Sequence, residues 1–406
     1  MAQVTACAKQ VPAKTDRVLN VVDPGLVAKM QEFRLRLSVI NGGYPVLNDW
    51  HPVVPEGWGE FPQVPVRKTT VYKGNEASWA YSHHQTITKF GDKYVLSWSN
   101  GFLHEDYVGQ EVHYAWSSDG MEWSEPRVLV HTPVESRLVR NNAGLCSADG
   151  RLYCYVCVAK DFGRDVAEPG MCSLVDQHIH LDVYSTEDLI QWQHEENICD
   201  SVYLFEGPRK TMDGKYMCCG FNYFGDHQAM VLGWDDASAL GGPPHVTYID
   251  PSEQGVLPEQ GTWYQTDDGR IWMYQRDSSE SCRLGLTWSD DGGRTWSELL
   301  RTDFPNSYSR AFAGRLNDGR CYIVGNNYDI MLDRMHLLVA LSDDGYCFDR
   351  QYLLVEGDTT RRINGRHKEN GYHYPNCITD GDKLLVTYSV NKEDIEVLEA
   401  DMSKVK

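Results

Sequence analysis

The ten residues SDDGGRTWSE, numbered 289–298, decide the fold of this chain because the same pattern recurs along it. The regular copies combine a serine, an aspartate, a glycine and an aromatic residue, which is typical of a tight turn. The Asp side chain can cap backbone N–H groups, glycine supplies the unusual dihedral angle, and tryptophan packs against a sheet. Further copies are SSDGMEWSEP at 117–126, SDDGYCFDR at 342–350 and a less regular STEDLIQWQHE at 185–195.

A second repeat consists of a strand, an Asp-Gly type of turn and another strand. Its six copies are ITKFGDKYVLSWSN, GLCSADGRLYCYVCVA, RKTMDGKYMCCGFN, TWYQTDDGRIWMYQR, FAGRLNDGRCYIVGNN and CITDGDKLLVTYSVN. With the recurring turns, this gives about four strands per repeat, the content of one propeller blade. We therefore predict an all-β chain that forms a single β-propeller over residues 1–406. Seven blades are expected, with residues 1–75 closing or completing one of them, and six blades are the alternative.

The composition of the chain limits the classes of molecule that it is expected to bind. The formal net charge of -20 argues against binding to nucleic acid over the whole surface, since phosphate binding requires many Lys and Arg side chains. No apolar run reaches ~18 residues, so no membrane span is expected, and the N-terminus lacks the apolar middle of a signal peptide. The 12 cysteines are expected to be small buried hydrophobes or a few disulfides. A monomer is expected.

Polar residues stand where the innermost strands of the blades begin, and those points converge on the central axis of a propeller. Such a ring is costly to desolvate without a ligand, which predicts a polar, sugar-sized substrate. The predicted catalytic residues are His84, His83 and Arg140. The predicted substrate-binding residues are Tyr81, Gln85, Asn141, Asn142, Glu206, Arg209, Glu259, Arg310, Tyr374 and Asn376. The following loop, GFLHEDYVGQEV, is more typical of a solvated turn, although it can rim the site.

Two adjacent histidines are unusual at the start of a strand. In an extended strand successive side chains point to opposite faces, so only one of His83 and His84 is expected to face the substrate, and His84 is preferred. A structural role, with hydrogen bonds to a neighbouring loop, is the alternative. Arg140, Arg209 and Arg310 could equally pair with acids of their own blades.

The recurring turns resemble the Asp-boxes of sialidase-type β-propellers. Sialidase activity is nevertheless disfavoured, because the Phe/Tyr-Arg-Ile-Pro signature is absent and no Tyr-Glu nucleophile pair can be assigned. Fold alone does not carry function.

The segment YSHHQTITKFGDKYVLSWSNGFLHEDYVGQEVHYAWSSDGMEWSEP, from Tyr81 to Pro126, resembles a more specific propeller family. That family comprises ulvan lyases, L-rhamnose-α-1,4-D-glucuronate lyases and related α-L-rhamnosidases. The resemblance implies that His83 or His84 is the catalytic histidine, and that the substrate is an acidic plant glycan of the arabinogalactan type. It also implies secretion. Gln85 stands where this family more often has proline.

The residues suit β-elimination from a uronate. Pairing the carboxylate with arginine makes the C5 proton easier to remove, a neutral histidine can act as base, and a Tyr or the second His can protonate the leaving oxygen. No cofactor is required, and a structural calcium ion in the central channel is conceivable. Hydrolysis by an α-L-rhamnosidase is the alternative, with Glu206 and Glu259 as the carboxyl pair. A non-catalytic carbohydrate-binding propeller is the alternative from another class.

Overall fold

The computed structural model describes residues 61–160, 179–222, 228–357 and 359–405. Three short 3-10 helices lie in these ranges, at Val134–Ser136, Ala237–Ala239 and Met402–Lys404. No helix among the described residues is long and apolar enough to cross a membrane. The strands of the described residues are β1 Val66–Tyr72, β2 Tyr81–Phe90, β3 Lys93–Gly101, β4 Glu111–Ser117, β5 Arg127–Val130, β6 Leu138–Ala148, β7 Arg151–Lys160, β8 His180–Thr186, β9 Gln193–Asp200, β10 Tyr203–Leu204, β11 Arg209–Lys210, β12 Tyr216–Phe221, β13 Ala229–Trp234, β14 His245–Tyr248, β15 Pro258–Gln265, β16 Ile271–Asp277, β17 Arg283–Ser289, β18 Leu300–Pro305, β19 Phe312–Arg315, β20 Cys321–Gly325, β21 His336–Ser342, β22 Arg350–Glu356, β23 Tyr372–Asp380, β24 Lys383–Val390 and β25 Asp394–Asp401.

The strands form six antiparallel sheets, which are the blades of a β-propeller. In chain order the blades are β2-β3-β4-β5, β6-β7-β8-β9, β10/β11-β12-β13-β14, β15-β16-β17-β18, β19-β20-β21-β22 and β23-β24-β25-β1. Each inner strand contacts the next blade around the ring: β2 contacts β6, β6 contacts β10, β15 contacts β12 and β19, and β23 contacts β19 and, at the closure of the ring, β2. The backbone N–H of Ile87 donates to Asn376 Oδ1 across this junction, at 3.0 Å. Because the described ring closes with six blades, the prediction of seven is wrong and the alternative of six is confirmed.

The N-terminal strand explains the overcount. β1 pairs with β25, with Val66 opposite Ala400, and is the outermost strand of the last blade. It therefore completes a blade that the C-terminal strands begin, and it adds no blade of its own. Residues 1–60, which the sequence analysis assigned to the same task, lie outside the described residues.

Each interface between neighbouring blades contains its own hydrophobic cluster. Val95 and Leu96 are consecutive on β3, yet Val95 packs towards the second blade and Leu96 packs towards the last blade. The alternation of side chains along a strand therefore serves two interfaces at once. Cys154 and Cys157 on β7 divide between two clusters in the same way. No disulfide joins the cysteines among the described residues.

The recurring turn has the predicted geometry. Asp291 Oδ1 accepts hydrogen bonds from the backbone N–H groups of Arg294 and Thr295, at 3.0 and 2.9 Å. The indole N–H of Trp296 donates to the carbonyl of Gly293, at 3.0 Å. The turn joins the third and fourth strands of its blade, so it fixes the outer edge of the propeller.

The less regular copy in the second blade is shifted by one residue. Asp188 accepts from the backbone N–H groups of Ile190 and Gln191, both at 2.8 Å, while Thr186 takes the place of the serine. Leu189 adopts a left-handed φ of 62°. The third and last blades close the same position with short helices capped by Asp236 and Asp401. An aspartate thus caps this turn in all six blades.

Candidate active site

The innermost strands are irregular at one level along the propeller axis. Their pairing shifts register between residues 83 and 86 in β2, 142 and 144 in β6, 259 and 262 in β15, and 373 and 376 in β23. His84, Gln260 and Tyr374 have left-handed φ angles of 54°, 53° and 52° in these bulges. Such a bulge interrupts the alternation of a strand and redirects the neighbouring side chains.

The bulge in β2 places the two histidines side by side. The ring centroids of His83 and His84 are 4.6 Å apart, and the ring of His83 is 4.3 Å from that of Tyr374. The prediction that the two histidines point in opposite directions is therefore wrong. It assumed an extended strand, and the left-handed backbone at His84 breaks that geometry.

One ring nitrogen of His83 has no hydrogen-bond partner among the described residues. It is fully buried, and its Nδ1 lies 2.8 Å from Ser389 Oγ. Within the part of the chain that the structure describes, its Nε2 has no hydrogen-bond partner. Burial, followed by His84 and Lys392, lowers the pKa of His83 well below its ordinary value of 6.5. His83 is therefore a neutral imidazole at neutral pH.

His84 is more fully engaged. Its Nδ1 lies 3.3 Å from Ser99 Oγ, and its Nε2 lies 3.7 Å from Glu105 Oε1. Burial lowers the pKa of His84 to about 4, although the charge of Glu105 opposes that shift. The ring nitrogen without a partner therefore belongs to His83 and not to His84, the histidine that the sequence analysis prefers.

The loop after β3 supplies two carboxyl groups with different protonation. Glu105 accepts from the Tyr81 hydroxyl at 3.0 Å and from Lys392 Nζ at 2.7 Å. Burial would raise the pKa of Glu105, but the charge and hydrogen bond of Lys392, together with His84 and His367, hold that pKa below its usual value. Burial and the charge of Glu105 raise the pKa of Asp106 to about 7, and Asn141 Nδ2 donates to its Oδ1 at 3.1 Å. This loop is a part of the site and not the solvated turn that its sequence favours.

Cations surround Tyr374 at the axis. Its hydroxyl oxygen accepts from Arg276 Nη1 and from Gln260 Nε2, both at 2.9 Å. The guanidinium of Arg334 lies 5.6 Å from its ring centroid, and Lys392 Nζ lies 5.9 Å from it. None of these four partners was among the predicted site residues. Arg276, Arg334 and Lys392 come from later strands and turns, where the sequence gives no signal of their convergence.

Arg310 is a buried cation with few partners. Its side chain is 1% exposed, and Nη1 donates to the carbonyl of Pro375 at 3.1 Å. Its nearest carboxylate, Glu206, lies 3.7 Å from Nη2. Among the described residues, Nε and Nη2 meet no hydrogen-bond acceptor. Burial lowers the pKa of Arg310, with Glu206 acting in the opposite direction.

Three of the predicted binding residues hold the strands together. Gln85 Nε2 donates to the carbonyls of His373 and Tyr374 across the ring. Asn142 Nδ2 donates to the carbonyl of His84 at 2.6 Å and so secures the bulge. Asn376 accepts from the first blade, as described above. These amides set the backbone of the site.

Arg140, predicted to be catalytic, is directed away from the histidines. Its Nη1 donates to Thr132 Oγ1 at 2.9 Å. The structure therefore does not place its guanidinium with the His83–His84 pair.

Glu206 and Arg209 lie deeper in the channel. Arg209 donates to Glu206 at 3.1 Å, and its guanidinium lies between the rings of Trp263 and Phe312, at 4.7 and 4.8 Å. Both residues line a cavity of about 230 Å³ that lies further along the inner strands than the histidines. Its polar lining residues are Thr86, Thr88, Ser147, Glu206, Arg209, Lys210, Tyr216 and Asn376.

Residues 104–386 match the BNR repeat-like domain family. The chain belongs to this family. No curated protein matches this BNR repeat-like protein. Among solved structures, a sialidase is similar at 18% identity and a TM-score of 0.58, and the match covers 84% of this chain and 33% of that one. A protein of unknown function from Dyadobacter fermentans has 15% identity and a TM-score of 0.63, over 82% of this chain and 99% of that one.

The NanB sialidase from Streptococcus pneumoniae has 11% identity and a TM-score of 0.60, with 83% of this chain and 71% of that one covered. Identities this low show the fold alone, and the BNR repeat-like protein spans one third of the first sialidase. In the chain described here, the hydroxyl group of Tyr374 is hydrogen-bonded to the side-chain amide of Gln260. An amide cannot accept a proton as a carboxylate can. The neighbouring Glu259 lies 3.9 Å from Arg276.

The BNR repeat-like protein contains one candidate metal cluster within its described residues. One ligand atom from each of His83, His84 and Glu105 lies within 4.8 Å of the others. Neutral imidazoles and a carboxylate suit an ion such as Zn²⁺. However, Lys392 is paired with Glu105, and Lys392 and Arg310 both lower the pKa of His84. Since the same positive charges oppose a divalent cation, we interpret the cluster as acid–base machinery. Calcium in the central channel stays a prediction.

Two loops meet above the histidines of the BNR repeat-like protein. The backbone N–H of Glu105 donates to the carbonyl of Arg366 at 3.4 Å, and the N–H of Arg366 donates to His104 Nδ1 at 2.9 Å. Lys368 Nζ reaches the carbonyl of Ala80 at 2.8 Å. His83 itself is fully buried.

Proposed function

We propose that this protein is a polysaccharide lyase that cleaves the rhamnosyl-α-1,4-glucuronate linkage of acidic plant glycans by β-elimination. One observation carries the proposal. Nε2 of the His83 ring and Nε and Nη2 of the Arg310 guanidinium have no hydrogen-bond partner, and these atoms are buried at the axis of the described propeller. A uronate offers what each group lacks, namely an acidic C–H bond and a carboxylate.

Arg310 is suited to bind the carboxylate of the uronate substrate. A guanidinium pairs with carboxylate oxygens through parallel N–H groups, and such charge-assisted bonds are the strong ones in a buried site. Neutralising the carboxylate stabilises the carbanion that forms at C5. Arg310 is also close enough to His84 to affect its pKa. A carboxylate held by Arg310 therefore lies within the electrostatic range of the histidine pair.

His83 is suited to act as the general base of the elimination. In the tautomer whose Nδ1–H donates to Ser389 Oγ, the neutral ring of His83 leaves Nε2 unprotonated. Nε2 can then take the C5 proton, and the electrons of the C–H bond form the C4–C5 double bond as the C4–oxygen bond breaks. The leaving oxygen then needs a proton. Arg276 and Gln260 both donate to the oxygen of Tyr374, which leaves the phenolic proton of Tyr374 for donation. The products are free rhamnose and a 4,5-unsaturated glucuronate.

Hydrolysis of the same linkage is the second candidate. Glu206 and Glu259 are poorly suited to hydrolysis, because the carboxylate of Glu206 already accepts hydrogen bonds from Arg209 and Thr262. Glu105 and Asp106 suit it better, since one has a lowered pKa and the other a pKa of about 7. Environments that separate two carboxyl pKa values in this way are typical of acid and base pairs.

One incubation separates the candidates. The protein is mixed with rhamnosyl-α-1,4-glucuronate oligosaccharides, and free rhamnose and the ultraviolet absorbance of the unsaturated uronate are followed together. Rhamnose released with the absorbance supports the lyase. Rhamnose released without it overturns the lyase in favour of the rhamnosidase. Binding with neither product indicates a carbohydrate-binding propeller and overturns both enzymes.

A further inference from the structure

An exposed apolar patch adjoins the site on the first blade. Phe102 is 41% exposed and Val134 is 42% exposed. Phe102 stacks on Trp79 with the ring centroids 4.6 Å apart and an angle of 26°. Phe102 and Val134 converge on Gly109, where an added Cβ would lie within 2.9 and 3.0 Å of their side chains. We call Trp79, Phe102 and Val134 the rim patch.

One residue of the rim patch, Phe102, belongs to the same loop as the candidate acids. Phe102 lies three residues before Glu105, which contacts Tyr81 and approaches His84. The rings of His104 and Tyr107, on the same loop, are 5.6 Å apart. The loop that holds the candidate acids thus carries an exposed aromatic side chain, Phe102, stacked on Trp79. Trp79 lies two residues before Tyr81, whose hydroxyl donates to Glu105.

We propose that the rim patch binds the apolar face of the second sugar of the substrate, the 6-deoxy sugar whose methyl group has no polar partner to satisfy. This assignment rests on the function proposed above. The small area of the rim patch favours a sugar over a protein as its binding partner. A stable protein interface buries about 800 Å² on each side, which three side chains do not approach. One pyranose ring covers an aromatic side chain, and exposed aromatic faces are suited to such contacts.

The test uses methyl α-L-rhamnopyranoside and saturation-transfer NMR, which detects weak binding without turnover. Wild type, Phe102→Ala and the control Tyr248→Ala are compared; Tyr248 is another exposed aromatic, on an outer strand. We expect signals from the methyl protons in wild type and in Tyr248→Ala, and their loss in Phe102→Ala. With rhamnosyl-glucuronate we expect Phe102→Ala to lower kcat/KM about tenfold, which corresponds to burial of roughly 55 Å² of apolar surface.

The outcomes are distinct. Equal signals in Phe102→Ala and wild type overturn the rim patch, and so does an absence of signals in wild type. Phe102→Leu keeps apolar surface and should retain a part of the signal, which guards against misfolding as the cause of a loss. Methyl signals that depend on Phe102, without formation of unsaturated uronate, overturn the lyase and leave the rim patch as a sugar site.

Discussion

Replacement of Arg310 by methionine is expected to make the protein more stable and less active. The wild-type guanidinium is 1% exposed, and two of its nitrogen atoms meet no acceptor among the described residues. Each unsatisfied buried donor costs about 1–3 kcal/mol. The variant loses the bond to Pro375 and the 3.7 Å approach to Glu206, but Glu206 keeps its hydrogen bonds from Arg209 and Thr262. We expect a net gain in unfolding free energy of about 1–3 kcal/mol.

Arg334→Met is the matched control. Arg334 is 3% exposed, and it donates to His373 at 2.7 Å, pairs with Glu369 at 2.9 Å and donates to the carbonyl of Tyr308 at 3.2 Å. Its removal leaves those acceptors unmet and should lower the unfolding free energy by about 2 kcal/mol. Both variants are measured by urea unfolding followed through tryptophan fluorescence.

A measurement of the activity of Arg310→Met completes the comparison with the wild-type protein. Loss of a preorganised donor to the substrate carboxylate should lower kcat/KM of Arg310→Met by about 10²–10³. If Arg310→Met instead unfolds as easily as Arg334→Met, the guanidinium is a structural cation, and the argument that it awaits an anionic ligand is refuted. A stable variant with unchanged turnover would refute it equally.

Three further predictions concern the base, a buried ion pair and acid stability. His83→Ala should lower kcat by about 10²–10⁴ while His84→Ala keeps more activity, as measured by initial rates; the reverse order would assign the base to His84. Lys368→Met should cost about 2 kcal/mol, because Glu393, 1% exposed and 3.2 Å from Lys368, loses a charged hydrogen-bond donor and keeps Arg362, at 3.5 Å, as its cationic partner. The double variant Lys368→Met/Glu393→Gln should recover part of that loss in urea unfolding, and no recovery would contradict the ion-pair account. Burial would raise the pKa of Asp182, but hydrogen bonds from His180, Asn197 and His194 hold it below its usual value. Its contribution to stability is thus present above the unfolded pKa of ~3.9 and is lost as the pH falls through the lower folded value. Asp182→Asn should therefore flatten the acid side of the stability curve, and an unchanged acid side would show that the aspartate contributes nothing.

Local chemistry determined the architecture of this protein. The Asp-Gly turns and the capped Asp-box turns each depend on residues within a few positions of one another, so they are legible in the sequence and define the blades. The convergence of strand starts on one axis is a property of any propeller, and it correctly brought together His83, His84 and Tyr374. Blade number was not local, since it depended on the pairing of Val66–Tyr72 with a strand more than 300 residues later.

The chemistry of the site was decided by the tertiary structure. Bulges with left-handed residues at His84, Gln260 and Tyr374 overrode strand alternation, and no local pattern announces them. Arg276, Arg334 and Lys392 reach Tyr374 from the later parts of three blades, so only the closed ring brings them together. Burial by residues distant in the chain then lowered the pKa of His83 and left two nitrogen atoms of Arg310 without a hydrogen-bond acceptor among the described residues.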